Sequence, residues 1–392
     1  MSFSQAIFDF TTLAIQAGGY MDLDRIYVQN QLLDLIGETT LAEVSLTLPT
    51  QTASEIQQLL LAQAKKNNIV QNDEQQAILA AKLMDFLTPP PSVVNALFAK
   101  HYDHSPQEAT AYFFTLCQNN GAIQASKQPG ALNATVDNAQ QPCAFCLASE
   151  GYAGIIEGRA RSNQRFIRMN LDNQSWAFRY ATNPVYSEQG VITAEDHQPQ
   201  ALTRSALQRL FRIVEVFPHY FVSLPSQSQH AHYQTGPTEV PLIKAAVKQS
   251  FPLAMFPEIT AGIVDSPLSV IRLQSADKER LVLAVEWIRA AWQAENKEGE
   301  LAKQPDLVLL AHLSQGQFVV ELVLQHAQSA AKFNKLMQKQ PVFEARNKPV
   351  ALSEILGSPR LPTSFVERLA AVSAFEATPS GQQAFERFLR KL

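Results

Sequence analysis

The densest group of reactive side chains in this chain is His230-Ala231-His232-Tyr233-Gln234. A neutral imidazole can attack phosphorus and hold a phosphoryl or nucleotidyl group covalently. Two histidines at i and i+2 share one face when the segment is extended, and Gln234, two residues further on, shares it too. Its amide can donate to a phosphate oxygen and accept from the attacking imidazole. The spacing therefore fits phosphoryl or nucleotidyl transfer, with His232, His230 and Gln234 as candidate catalytic residues. As a short motif in a polar stretch, it fits a solvated loop equally well.

Cys143-Ala144-Phe145-Cys146 is the second feature. A C-x-x-C supplies half of a tetrahedral zinc site, and His230 and His197 are candidates to complete it. The alternative is a pair of small buried hydrophobes. Between Gly158 and Arg165 stand Arg159, Arg161 and Arg165. Arg161 and Arg165 could grip a diphosphate bidentately, or the stretch is a solvated basic turn. His219, in the aromatic run Phe217 to Phe221, reads as a packed residue. His101, His104, His312 and His326 have no partners at ligand spacing. With 15 glycines and neither GxGxxG nor GxxxxGK[ST], a phosphate-binding loop is not expected.

The elements that must position these groups change character along the chain. The first third reads as helical: a run through Phe10, Leu13, Ala14 and Ala17 stopped by Gly18-Gly19, then Asp24 to Ile36, Ser54 to Lys66, and Asp73 to Leu87 with Asp73 as its cap. Pro89-Pro90-Pro91 ends that set, and Pro106 to Gln118 resumes with Ser105 as cap. Asn119 to Pro142 is a polar linker. Beyond it, Arg165–Leu171, Trp176–Tyr180 and Val185–Ile192 alternate as strands. Leu202 to Phe217 and Ala245 to Ser250 read as helices, Ile259–Val264 and Ser269–Leu273 as strands, and Lys278 to Ala294 as an amphipathic helix. Leu307–Leu313 and Phe318–Leu324 flank Ser314-Gln315-Gly316 as a hairpin. Thr363 to Leu392 reads as helical with a break near Pro379.

The 392 residues carry a formal charge of −4, with 46% hydrophobic and 17% charged side chains. That is a globular composition of about two or three domains. It lacks the basic excess of a nucleic-acid binder. No apolar run reaches the roughly 20 residues that span a bilayer, and no basic region precedes an apolar run at the N-terminus. Three cysteines cannot build a disulfide framework, so a reduced, cytoplasmic protein is expected, without nucleic-acid or membrane partners.

Several segments, in order, resemble the type II galactose-1-phosphate (hexose-1-phosphate) uridylyltransferases, a branch of the histidine-triad superfamily. They are Leu23 to Asn30, Lys82 to Asn95, the Cys143–Cys146 pair with Glu150-Gly151-Tyr152, Ala160-Arg161-Ser162-Asn163, and Arg168-Met169-Asn170-Leu171. Phe217 to Val222, His232-Tyr233-Gln234, Pro257 to Val264 and Ser269 to Leu273 continue the series. The resemblance implies an α+β fold with two histidine-triad-like halves on antiparallel sheet. Residues 1–120 would be a helical N-terminal region, 140–256 the first half with the histidine motif, and 257–392 a divergent second half. It implies a nucleotidyltransferase of galactose metabolism that moves UMP from UDP-glucose to galactose 1-phosphate through uridylylated His232. His230 would support the site and Gln234 would contact the transferred phosphate. Arg161, Ser162, Asn163 and Arg165 would bind the nucleotide, zinc is the cofactor in question at Cys143 and Cys146, and a homodimer is the expected state.

The chain also departs from that pattern. The segment before the histidines is shortened to Ser223–Gln229 and holds no glycine, Ala231 stands between the histidines where a Glu is usual, and Gln164 and Gln189 replace histidines. A histidine-rich family run is missing, and Gln325 to Asn347 stands in its place. These losses fall on ligand-contacting loops and spare the apolar framework. They keep open a second reading, a non-catalytic relative that binds a nucleotide or a partner protein.

Overall fold

Four of the six N-terminal helices start where a side chain takes up an orphaned backbone N–H group. Ser2 caps α1 (Phe3–Gln16), and Thr52 with Glu55 forms a reciprocal capping box on α3 (Ala53–Lys66). Between them α2 (Arg25–Ile36) ends at Gly37, whose φ of 72° is the left-handed conformation a helix terminus uses. The cap of α4 (Asp73–Asp85) is Asn72, accepting from the Gln75 N–H at 2.9 Å, and not Asp73, which lies inside the first turn. The proline run does more than end α4. Pro91 occupies the first position of α5 (Pro91–Tyr102), where its missing N–H costs nothing. Ser105 caps α6 (Pro106–Asn119) as expected.

This computed structural model describes residues 2–123, 143–156, 159–182, 184–224, 227–295, 305–326, 356, 373–375 and 379–392. The linker from residue 124, the stretch 327–347 and the start of the C-terminal helical run lie outside them.

The chain divides into two compact units. Among the described residues, the first holds those up to Met169 and those from Ser175 to 182, and the second holds Asn170–Gln174 and those from Pro184 to Leu392. In the first unit, the apolar stripes of α1 to α4 meet in one core that includes Phe10, Ile36, Leu60 and Leu83. Short strands follow: β1 (Ile155–Ile156) pairs with β2 (Arg159–Ala160), and β3 (Ile167–Leu171) precedes β4 (Gln174–Tyr180). Asn95 on α5 stands in for a strand neighbour, donating to Phe166 O at 2.9 Å and accepting from the Arg168 N–H at 2.7 Å.

The second unit is built on antiparallel sheet. Its strands are β5 (Gly190–Ala194), β6 (Gln200–Ala201), β7 (Tyr220–Leu224), β8 (Gln227–Ser228), β9 (His232–Pro237), β10 (Val247–Phe251), β11 (Thr260–Val264), β12 (Val270–Ser275), β13 (Pro305–Ser314) and β14 (Gln317–His326). They run β10-β11-β12-β14-β13-β7-β9-β5, while β6 and β8 form a separate pair. The α7 helix (Arg204–Val216), capped by Thr203, precedes β7. One turn, α8 (Pro241–Lys244), precedes β10, and α9 (Lys278–Glu295) follows β12. The tip of the β13–β14 hairpin holds Gln315 and Gly316, both at positive φ, the turn that matches strand twist. The last helix, α10 (Pro379–Leu389), begins at Pro379.

The sequence expectation of a helix over Ala245 to Ser250 is corrected. From Val247 onward that segment is edge strand β10, paired with β11. Its side chains are largely exposed, so it has no apolar face for either period to report. The fold class is α+β, with a helical N-terminal region and antiparallel sheet.

Candidate active site

His232 is the first residue of β9, and its strand is held between β5 and β7. Thr193 of β5 lies directly opposite it, and Val191 lies opposite Gln234. The two motif residues therefore share one sheet face, as their spacing predicts. His230 precedes the strand in a bend whose backbone is fixed on both sides: Ala231 O accepts from the Ala194 N–H at 2.9 Å, and the Ala231 N–H donates to Gln198 O at 2.8 Å.

That bend decides which nitrogen of each imidazole carries the proton. His232 Nδ1 lies 2.8 Å from His230 O, and a carbonyl only accepts, so Nδ1 is the protonated nitrogen. The Nε2 atom is left with the lone pair, as a nucleophile requires. Ser228 of β8 lies alongside, its Oγ donating to His230 O and sitting 3.2 Å from His232 Nδ1. The His232 N–H donates to Gln200 Oε1 at 2.5 Å. By the same reasoning fully buried His230 donates from Nε2 to Ala194 O at 2.8 Å, which leaves the lone pair on its Nδ1. The His197 ring lies 4.7 Å from that of His230, centroid to centroid.

In the first unit, Cys143 and Cys146 form a tight turn. The Cys146 N–H donates to Cys143 O at 2.9 Å, and the Phe145 N–H points at Cys143 Sγ at 3.4 Å. Buried Arg179 holds the turn from below, donating to Ala144 O at 3.1 Å with its guanidinium 5.6 Å from the Phe145 ring. Burial, then the neighbouring Cys143, pushes the Cys146 thiol up to about 12. A metal would have to displace those protons. Two thiols at this spacing suit half of a tetrahedral zinc site. An N–H directed at sulfur and a histidine whose second nitrogen is bonded to a carbonyl both fit that metal.

The arginine segment also lies in the first unit. Arg161 is 2% exposed and donates to Gln164 Oε1 and Ile156 O at 3.3 and 3.4 Å. Asn163 exchanges bonds with Asn120 at 2.7 and 2.9 Å, and Ser162 Oγ is buried without a hydrogen-bond partner among the described residues. Arg165 donates to Asp85 at 2.6 Å and to the carbonyls of Pro89, Thr88, Ser162 and Gln164. Every nitrogen of that guanidinium therefore has a protein partner. Gln189, at a position where the family pattern has histidine, accepts from the Val185 N–H at 2.8 Å.

Sequence spacing gave no sign of Ser228, Gln200, Thr193 or the Ala194 carbonyl. The signal that finds them is strand register. His312 does have a partner, Glu321 Oε1 at 3.2 Å, supplied across the β13–β14 hairpin. It lines a cleft of about 240 Å³ with Lys244 and Arg272, which contains none of the motif residues.

The family model of the N-terminal domain of galactose-1-phosphate uridyl transferase matches residues 19–138. The galactose-1-phosphate uridylyltransferase of Enterococcus faecalis is 30% identical over 95% of this chain and 85% of that one. That of Lacticaseibacillus paracasei is 32% identical over 91% and 82%. Among solved structures, yeast Ap4A phosphorylase Apa2 matches with a TM-score of 0.34 and 16% identity over 56% of this chain and 78% of that one, too loose a likeness to carry an argument. Collinear similarity at this level over nearly the whole length shows that the chain belongs to the galactose-1-phosphate uridylyltransferase family.

Proposed function

We propose that this protein transfers UMP from UDP-glucose to galactose 1-phosphate through a uridylyl-His232 intermediate. The observation that carries the reading is the bond from His232 Nδ1 to His230 O, which directs Nε2 to nucleophilic attack. Nε2 attacks the α-phosphorus of UDP-glucose, a P–N bond forms, and the P–O bond to glucose 1-phosphate breaks. The ring becomes cationic with Nδ1 still protonated, and the His230 carbonyl dipole opposes that charge. A phosphate oxygen of galactose 1-phosphate then attacks the same phosphorus. The P–N bond breaks, UDP-galactose leaves, and His232 returns to its neutral form.

Gln234, half-buried on the His232 face, is the candidate phosphate contact. Arg161, Ser162, Asn163 and Arg165 are the candidate nucleotide-side residues, with Ser162 Oγ the one whose hydroxyl awaits a partner. Zinc would take Cys143 and Cys146 as two ligands, with His197 and His230 the candidates from the sequence to complete a tetrahedral set. The halves 140–256 and 257–392 are read as histidine-triad-like, and a homodimer in the cytoplasm is the expected state. Among the described residues no helix is long and apolar enough to cross a membrane.

Intact-mass measurement after incubation with UDP-glucose tests the reading. The expected result is a gain of one uridylyl group, discharged by galactose 1-phosphate and absent in His232→Ala. Folded wild-type protein that forms no adduct would overturn it in favour of a binding role.

A further inference from the structure

Two polar atoms beside His232 have no assigned role. Thr193 is fully buried, and its Oγ1 has no hydrogen-bond partner among the described residues. It is the cross-strand partner of His232 on β5, so the two side chains leave the same sheet face within contact range of each other. Gln200, 8% exposed, uses Oε1 to accept from the His232 N–H at 2.5 Å. That bond fixes the amide orientation, and the Nε2 donor is then buried without a hydrogen-bond partner among the described residues. Gln200 is in turn paired on β6 with Ser228, whose hydroxyl touches His232 Nδ1. Buried polar groups are nearly always satisfied in a native protein, so two unmatched groups flanking one histidine need an explanation.

We infer that Thr193 Oγ1 and Gln200 Nε2 donate to the non-bridging oxygens of the phosphoryl group while it is carried on His232. The inference rests on the uridylyl-transfer reading. An incoming phosphoryl group brings acceptors to where these donors lie unmatched, and charge on its oxygens changes in the transition state. Donors already fixed by the fold stabilise that charge without reorganising. The segment that leads into the histidines, Ser223 to Gln229, holds no glycine whose backbone could approach a phosphate closely. Side chains from β5 and β6 supply the donors here instead.

The test compares the full-length wild type with Thr193→Val, Thr193→Ser and Gln200→Glu. Three quantities are followed: the quenched intact-mass rate of adduct formation, KM for UDP-glucose, and thermal unfolding. Thr193→Val keeps the shape and removes the hydroxyl. It should slow adduct formation at saturating UDP-glucose at least about tenfold, leave KM within about threefold, and unfold no earlier than wild type. Thr193→Ser should restore the rate. Gln200→Glu keeps an acceptor for the His232 N–H but replaces the donor with a charge that repels phosphate, so it should lose more. Wild-type rates in both Thr193→Val and Gln200→Glu would mean that these atoms meet only water, and would overturn the inference. Wild type that forms no adduct would overturn the transfer reading, and this inference with it.

Discussion

The carbonyl oxygen of His230 lies 2.8 Å from Nδ1 of His232, two residues along the same chain. One backbone group thereby selects the tautomer of the side chain proposed to carry the chemistry. The contact depends on the bend at Gln229 to Ala231, because a continuous extended strand would direct that carbonyl to a neighbouring strand.

Removing the imidazole should abolish the reaction and leave the fold. His232→Ala should lower the UDP-glucose-dependent transfer rate by at least about 10³-fold, as deletion of a covalent nucleophile does. Steady-state assay with circular dichroism checks it, and a folded variant within tenfold of wild type refutes the role.

Metal content tests the donor set. Protein purified without chelator should contain about one equivalent of zinc, and Cys146→Ala should fall below about a tenth of that. Loss of the metal should also lower the unfolding temperature. Equal zinc in both proteins, by elemental analysis, would exclude the cysteine pair as ligands.

Arg165 should matter for stability even where nucleotide binding is not measured. Arg165→Ala removes the donor to Asp85 and to four carbonyls; the Asp85 carboxylate is 42% exposed and can turn to water, so the cost, about 1–3 kcal/mol, comes mainly from the buried carbonyls. Arg165→Lys should recover only part, since an ammonium cannot reproduce the planar fork. Urea unfolding of the two variants decides, and an unchanged midpoint for Arg165→Ala would count against this.

Acid should weaken the fold through His219. Burial lowers its pKa from 6.5 to about 4, with the Tyr220 ring centroid 4.2 Å away. The unfolded chain therefore takes up this proton more readily, so the contribution is complete above about pH 6.5 and is lost as pH falls toward 4. His219→Phe should flatten the stability profile across that window and change little at pH 7.5. An unaltered slope in the variant would assign the acid sensitivity to other groups.

Local chemistry was enough to place much of the framework. The Ser105 cap with Pro106, the Gly37 stop and the Gln315-Gly316 turn each act within a few residues, so their patterns are legible without a fold. Pro89-Pro90-Pro91 reads as a stop alone, yet Pro91 opens α5, because proline suits the first position of a helix as well as the end of one. The helix expected over Ala245 to Ser250 gives way to strand β10 because an exposed edge strand carries neither hydrophobic period.

The same division holds at the site. The sequence by itself determined that His230, His232 and Gln234 stand at alternating positions, and that Cys143 and Cys146 are spaced to ligate a metal. Only the tertiary structure decided that Thr193 faces His232, that Gln200 holds its N–H, and that Arg165 is bound to Asp85 and to backbone carbonyls. The physical reason is register. A slip of one residue in strand pairing turns each side chain to the opposite face, and pairing between segments tens of residues apart is fixed by the whole sheet and core.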